Sequence, residues 1–284
     1  MRLLYHNIWK SIDVQFSIII ATYNSEKTLI RCLESVFSQT CKDVEVLIKD
    51  GASTDNTVSL LNEYANQFSF YKSSADSGVY DAWNECIKYS TGDWLLFLGS
   101  DDYFTDENAL TSVIPYLEAA HKMNAPLVHG QNLIIRSNEV VQVLGSTFEN
   151  LKAALMKKMV VRHPGCFHNR VMMSEIGLYD THFKIVGDYD LVYRLVSKYG
   201  KTVFYPFSIV AHVMGGLSTA PSKLELLMHE TYLLRKKHDL YPFRLIDLDY
   251  LKKIILIGLY KIHCETLINR IFKIKSRLSN YFNK

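Results

Sequence analysis

The sequence lacks the features that mark several large protein classes. Its five cysteines, Cys32, Cys41, Cys86, Cys166 and Cys264, are odd in number and never spaced as CxxC. A disulfide framework or structural zinc site is therefore not expected, and reduced thiols in the cytosol fit the pattern. No uncharged apolar stretch reaches the roughly 18–20 residues of a membrane-spanning helix. The opening MRLLYHNIWKSIDVQ has no long apolar core of the signal-peptide kind. A net charge of +3 names no partner and gives no reason to expect nucleic acid. Walker-type and dinucleotide glycine fingerprints are missing. There is no internal repeat and no low-complexity linker. What remains is an ordinary globular composition, 48% hydrophobic and 21% charged over 284 residues. That is enough chain for one large domain, or two fused halves, with a substantial core.

The first hundred residues alternate between two periods. FSIIIA at 16–21 is short, β-branched and apolar, which predicts a buried parallel strand. Leu29, Leu33, Val36 and Phe37 then recur at helical spacing within 25–39, with Ser25 as a candidate cap. VEVLIKDG predicts a second strand. STDNT leads into a helix that Ser53 or Asp55 can cap. A weaker strand at 70–74 precedes the helix YDAWNECIKYS, which Gly92 is expected to end. DWLLFLGSDDYF gives a fourth strand. Such alternation predicts a parallel sheet with helices on both faces, whose ligands bind beyond the carboxyl ends of the strands. The second half predicts a hairpin around Ser137-Asn138, a helix over 148–161, a loop and strand at RHPGCFHNR, a helix from near Asp188 to Gly200, and a strand at KTVFYPFSIVAHV.

Polar clusters fall at those strand ends. Thr22-Tyr23-Asn24 offers hydroxyls and an amide to a base or ribose, or is a polar loop capping the next helix. In Asp50-Gly51-Ala52-Ser53-Thr54-Asp55, carboxylates can accept from a base N–H or ribose hydroxyls, and Gly51 allows close approach. A capped turn is the alternative, but it needs only one acid, Asp55, and leaves Asp50 unexplained. Gly78 in Asp76-Ser77-Gly78 sits where a helix begins, so free N–H groups there can face a phosphate. Trp83, five residues on, is expected in the core. Asp101 and Asp102 in GSDD repel each other at the end of a buried strand. A hard divalent cation, magnesium or manganese, would relieve that repulsion at a pyrophosphate, and paired loop caps are the other reading. Asp188 in Gly187-Asp188-Tyr189-Asp190-Leu191 is either an N-terminal helix charge or a general base. His163 and His212 are lone histidines, usually structural.

TYN, KDGASTDNT, ADSGVYDAWN, TGDWLLFLGSDD and VGDYDLVYRL together, in this order, resemble glycosyltransferase family 2 over about residues 16–218. They are similar to the bacterial branch that builds capsule, exopolysaccharide or lipopolysaccharide units. The resemblance implies an α/β fold of GT-A type, a Rossmann-like mostly parallel sheet. It implies that Thr22, Tyr23, Asn24, Asp50, Gly51 and Asp55 line the nucleoside site, and that Asp76 and Gly78 border the base or ribose and the diphosphate. Asp101 and Asp102 fall in the DxD-like region, Asp102 as the metal ligand and His212 as a further one. Asp188 matches the base of an inverting transfer, with Asp190 supporting the helix start or a neighbouring loop. The chain departs from the pattern at Gly99, where many members have aspartate, and at Gly187, where many have glutamate.

The resulting expectation is a Mn2+- or Mg2+-dependent inverting transferase. It would move a sugar from a nucleotide-diphosphate donor, UDP-linked, to a glycan or lipid-linked acceptor in surface polysaccharide biosynthesis. A non-catalytic sugar-nucleotide-binding or assembly subunit is the alternative. A nucleotidyltransferase would need a glycine- and arginine-rich loop where TYNSEKT stands. The chain divides into a lead at 1–15, a nucleotide-sugar half at 16–105, an acceptor and catalytic half at 106–218, and C-terminal helices at 219–284. Residues 251–284 carry eight Lys/Arg and one Glu, with Leu267, Ile271, Ile274 and Leu278 at helical spacing. That is a basic amphipathic pattern, suited to an anionic membrane surface on the cytoplasmic side or to a packed helix with a solvated basic face.

Overall fold

The computed structural model describes residues 15–136, 138–214 and 221–240. The leading strand β1 (Phe16–Thr22) sits centrally. Phe16, Ile18 and Ile20 join one apolar cluster and Ile19 joins the other. A strand covered on both faces needs no polar alternation, which is why Ile18, Ile19 and Ile20 run together, with the buried Ser17 hydroxyl satisfied by Glu45. After α1 (Leu29–Phe37) come β2 (Val44–Asp50), α2 (Thr57–Glu63), β3 (Phe70–Ser73), α3 (Val79–Ile87) and β4 (Trp94–Gly99). β2 and β4 flank β1 in parallel, with Phe16 opposite Val44 on one side and Trp94 on the other.

The second half follows as β5 (Tyr103–Phe104), α4 (Ala109–Met123), β6 (Leu127–Arg136), β7 (Glu139–Leu144), α5 (Leu151–Leu155), β8 (Phe167–Asn169), α6 (Arg170–Glu175), α7 (Gly187–Tyr199), β9 (Val203–Val213) and α8 (Leu224–Lys237). The sheet order is β3-β2-β1-β4-β8-β6-β9-β5, with β7 paired to β6. β8 runs antiparallel to both β4 and β6, while β9 runs parallel to β6. The sheet is thus mostly parallel and continuous across the 105/106 division. Side chains of α1, α2 and α4 cover one face. Those of α3, α7 and α8 cover the other.

Several element boundaries differ from the sequence expectation. α1 starts at Leu29, not Ser25. The Ser25 amide donates to Thr57 Oγ1 at 2.7 Å and the Glu26 amide to Asp55 Oδ2 at 3.2 Å, so this stretch is tied to the neighbouring loop instead of winding. α3 stops at Ile87, before Gly92. Gly92 instead lies against β1, where a Cβ would come 2.6 Å from Ser17 Oγ. The helix expected over 148–161 shrinks to Leu151–Leu155, capped by Asn150. α4, β5 and α6 had no counterpart in the sequence expectation, while α8 falls within the C-terminal helices expected at 219–284. Most of the lead at 1–15 and the basic segment 251–284 lie outside the described residues. Among the described residues, no helix is long and apolar enough to cross a membrane.

Candidate active site

The loops that follow β1, β2, β3 and β4 open into a cleft of about 1700 Å³, closed on its other side by residues 157–164, the start of α7, His212 and α8. Thr22, Tyr23, Asn24, Gly51, Asp55, Asp76, Gly78, Asp101, Asp102, Asp188 and His212 all line it. Residues far apart in sequence meet there because parallel strands place their carboxyl ends on one edge.

The first wall is a set of interlocked loops. Asn24 donates its amide to Ser53 Oγ and accepts from the Thr54 amide, each within 2.9 Å. Asp55 accepts from the amides of Glu26 and Thr57, so it caps α2 as well as fastening the first loop. Tyr23 projects 62% exposed at the cleft wall. Thr22 is buried, and its Oγ1 has no hydrogen-bond partner.

Asp50 sits behind this wall. It is not among the lining residues; its buried carboxylate is spent on the Ser53 amide, Ser53 Oγ and Ser73 Oγ. It shapes the turn. The helix start at Gly78 lines the cleft with part of its donors already engaged. Its backbone, with φ of 125°, needs glycine. Its amide is already held by Asp76 Oδ1 and the Ser77 amide by Asp81, so these two N–H groups are not free for a phosphate.

At the end of β4, Asp102 is buried and accepts from the Val213 amide at 2.9 Å, with His212 Nδ1 at 3.0 Å. Burial, and then the charge of Asp102, raise the Asp101 carboxyl above its usual range. Burial alone would lower the His212 imidazole, but the bond and charge of Asp102 outweigh it and the net shift is upward. Gly99 explains its own departure from the family pattern. A Cβ there would lie 2.8 Å from Asp101 Oδ1 and 3.2 Å from Asp102 Oδ2, so the two carboxylates fill the place a longer side chain would take. Among the described residues no three His, Cys, Asp or Glu converge as a metal cage.

Asp188 opens α7 from inside the cleft wall. Burial pushes its carboxyl up to about 6, opposed first by the Tyr189 amide at 2.7 Å and then by the Tyr80 hydroxyl at 3.4 Å. That hydroxyl has one proton, and the Ile185 carbonyl at 2.7 Å is its better acceptor. Gly187 is glycine because a Cβ would stand 2.7 Å from the Tyr80 ring. Asp190 points away from the cleft. Its buried carboxylate binds Arg194, Lys237 and His238, tying α7 to the end of α8. His163 is buried, held by the Tyr179 hydroxyl at 2.9 Å and stacked on Trp83. Burial, then His168, lower it well below its ordinary value, so it is neutral.

Three residues escaped the sequence reading. Glu230 of α8 is buried and accepts from the amides of Lys184, Ile185 and Val186, the stretch that delivers Asp188. No pattern in an ordinary amphipathic helix marks it. Lys49, buried inside β2, reaches the Asp50 and Ser74 carbonyls and Asp76. A lysine within VEVLIKD was the available signal. Arg162 lines the cleft with a buried Nε that has no partner.

An α/β domain with acid-rich loops at one strand edge, and a raised carboxyl in the same cleft, forms a ligand-binding cleft that carries an acid–base group. The family model "Glycosyl transferase family 2" matches residues 17–176. The chain is 34% identical over 217 residues to a "PGL/p-HBAD biosynthesis glycosyltransferase" of Mycobacterium tuberculosis, covering 75% of this chain and 82% of that one. Its fold is similar to S. aureus TarS in complex with UDP-GlcNAc, with a TM-score of 0.62 at 18% identity over 86% of this chain and 70% of that chain. A further TarS structure is covered over only 39% of its length. The mannosyltransferase PcManGT of Pyrobaculum calidifontis, in complex with GDP-Man and Mn2+, gives 0.59 at 13% identity, over 79% and 64%. The chain belongs to glycosyltransferase family 2, and it is a glycosyltransferase.

Proposed function

We propose that the chain transfers a sugar, with inversion, from a nucleotide-diphosphate donor to a hydroxyl of a glycan or lipid-linked acceptor, and that Asp188 is its base. The observation that carries this reading is the Asp188 carboxyl itself, half-buried in the cleft wall and pushed up to about 6 by desolvation. A base needs an affinity for protons near the working pH, and burial supplies it. Asp188 takes the proton of the acceptor hydroxyl while that oxygen bonds to the anomeric carbon. The bond from that carbon to the diphosphate oxygen breaks, and the diphosphate leaves with the electron pair. Attack opposite the leaving group inverts the centre.

Thr22, Tyr23, Asn24, Asp55 and Asp76 form the wall read here as the nucleoside site. A UDP donor is favoured by the likeness to TarS, which was captured with UDP-GlcNAc. The carboxylates of Asp101 and Asp102 suit a hard divalent cation, Mn2+ or Mg2+, by donor chemistry and by the repulsion one would relieve. Both oxygens of Asp102 already carry hydrogen bonds, so the fit is to a cation that also keeps water and phosphate oxygens. Such a cation would supply positive charge at the departing diphosphate.

Residues 16–105 are then the donor half and 106–218 the acceptor half. The basic sequence of 251–284 suits contact with an anionic membrane surface. Flotation with anionic liposomes tests it: equal binding after deletion of 251–284 would remove the idea. For the transfer itself, the experiment is a panel of UDP- and GDP-sugars with extracted lipid-linked acceptor, read by mass spectrometry. Nucleotide binding without hydrolysis or transfer from any donor would favour a binding subunit.

A further inference from the structure

Buried polar atoms without partners are uncommon in folded proteins, and each asks for a reason. Among the described residues, Thr22 Oγ1, Trp83 Nε1, Asn132 Oδ1 and Arg162 Nε are such atoms, and all four residues line the cleft. Of the four, only Arg162 is charged. Its charge is felt by Asp188 and by His212, which is bonded to Asp102. Yet among the described residues no ion pair joins it to a carboxylate, although other cations are paired: Arg194 with Asp190, Lys49 with Asp76. An unpaired, partly buried cation is costly unless a ligand completes it.

The segment carrying Arg162 is also fixed. Asn132 Nδ2 donates to the Pro164 carbonyl at 2.7 Å, the Cys166 amide to the His163 carbonyl at 2.9 Å, and the Tyr205 hydroxyl to the Gly165 carbonyl. The guanidinium is therefore presented from a rigid base, which reduces the ordering cost of binding. Across the site, Gly99 leaves the acid pair one carboxylate short of the commoner family pattern. The cation it can hold is loosely caged, and more of the leaving group's charge has to be met by protein.

We propose that Arg162 is an oxyanion receptor for the donor, gripping the β-phosphate next to the bond that breaks. A planar guanidinium matches phosphate oxygens in pairs, and a contact that strengthens as negative charge develops there assists departure. A carboxylate on the transferred sugar is a second source of the same chemistry. The inference rests on the nucleotide-sugar reading above.

The test is calorimetric titration of the full chain and its Arg162→Gln and Arg162→Lys variants with UDP, UMP, UDP-glucose and UDP-glucuronate, each with Mg2+ and with chelator. Losing a charged hydrogen bond implies that Arg162→Gln weakens UDP about ten- to a hundredfold in both conditions. UMP, lacking the β-phosphate, is bound equally by both proteins, which also shows that the variant is folded. Arg162→Lys falls between. If the unmodified chain binds neither UDP nor GDP, the nucleotide-sugar reading itself fails. If it binds UDP and the variants bind all four ligands as well, only the Arg162 proposal is overturned. A loss confined to UDP-glucuronate overturns the β-phosphate assignment and moves the contact to the sugar.

Discussion

Replacing Asp188 by asparagine separates activity from stability, because the structure gives the same carboxylate opposite effects on the two. Its carboxyl moves from an ordinary 3.8 to about 6 on folding, and burial is the main cause. Each unit of such a rise is worth about 1.36 kcal/mol, so the folded protein disfavours the ionised form by about 3 kcal/mol. The folded value is the higher one. The stability linked to this proton is therefore fully present below about pH 4 and is lost as pH rises through 6. Asparagine has the shape of the protonated acid and carries no charge to desolvate. At pH 7.5 Asp188→Asn should melt above the unmodified chain by about 5–10 °C, and at pH 4 the two should melt together. Transfer should fall about a hundred- to ten-thousandfold, the usual worth of a positioned base, while UDP affinity holds. Differential scanning calorimetry at the two pH values and a single-turnover transfer assay read both effects. Equal melting at pH 7.5 would refute the desolvation argument. Near-normal turnover would refute the base.

In the unmodified enzyme, the same proton predicts a rate that falls tenfold per pH unit below about 6, measured as kcat/KM against pH with a saturating cation. Gly187→Ala puts a methyl 2.7 Å from the Tyr80 ring; overpacking of this kind costs about 1–3 kcal/mol, read as a lower denaturation midpoint, and turnover should fall with it. Glu230→Ala strips the acceptor from three backbone amides, so it should cost more than about 2 kcal/mol and lower kcat more than it weakens UDP binding. Asp102→Asn should abolish the gain in UDP affinity that Mn2+ gives the unmodified chain in calorimetry; an equal gain in the variant would remove Asp102 as ligand.

The first half of the sheet was legible because its signals are local. A strand buried on both faces is written as a nearly continuous apolar run, as in 16–21 with Ser17 the one polar residue, and the acid-rich loops follow at once. Boundaries failed where distant bonds decided them. Ser25 has the sequence of a helix cap, but its amide is taken by Thr57, thirty-two positions away. Gly92 has the sequence of a helix stop, but it is fixed by a strand in contact with it. Asp50 shows a related limit. Sequence shows an acid at a strand end, and only coordinates show whether its oxygens face the cleft or, as here, are consumed by Ser53 and Ser73.

The two family departures show what the sequence withholds about chemistry. Gly99 and Gly187 each look like a missing acid, and together they kept a non-catalytic reading open. In the structure both are spaces filled by other groups. Asp101 and Asp102 fold into the volume beside Gly99, and the Tyr80 ring lies against Gly187. An acid at 99 would add a third negative charge where that of Asp102 already raises the Asp101 carboxyl. A side chain at 187 would displace the aromatic ring whose hydroxyl pins the Ile185 carbonyl two residues before it. Glu230 secures the same stretch through its amides, from a helix that no sequence pattern linked to it. Asp188 is thus approached from two sides, by the Tyr80 hydroxyl and by the stretch that Glu230 holds. Such a frame can keep a carboxylate half-buried and raised only if its backbone does not relax, and this is why Glu230→Ala is the more telling mutation. It leaves every cleft-lining acid in place, so a loss of turnover beyond its loss of stability reports on the 184–186 stretch that leads into Asp188.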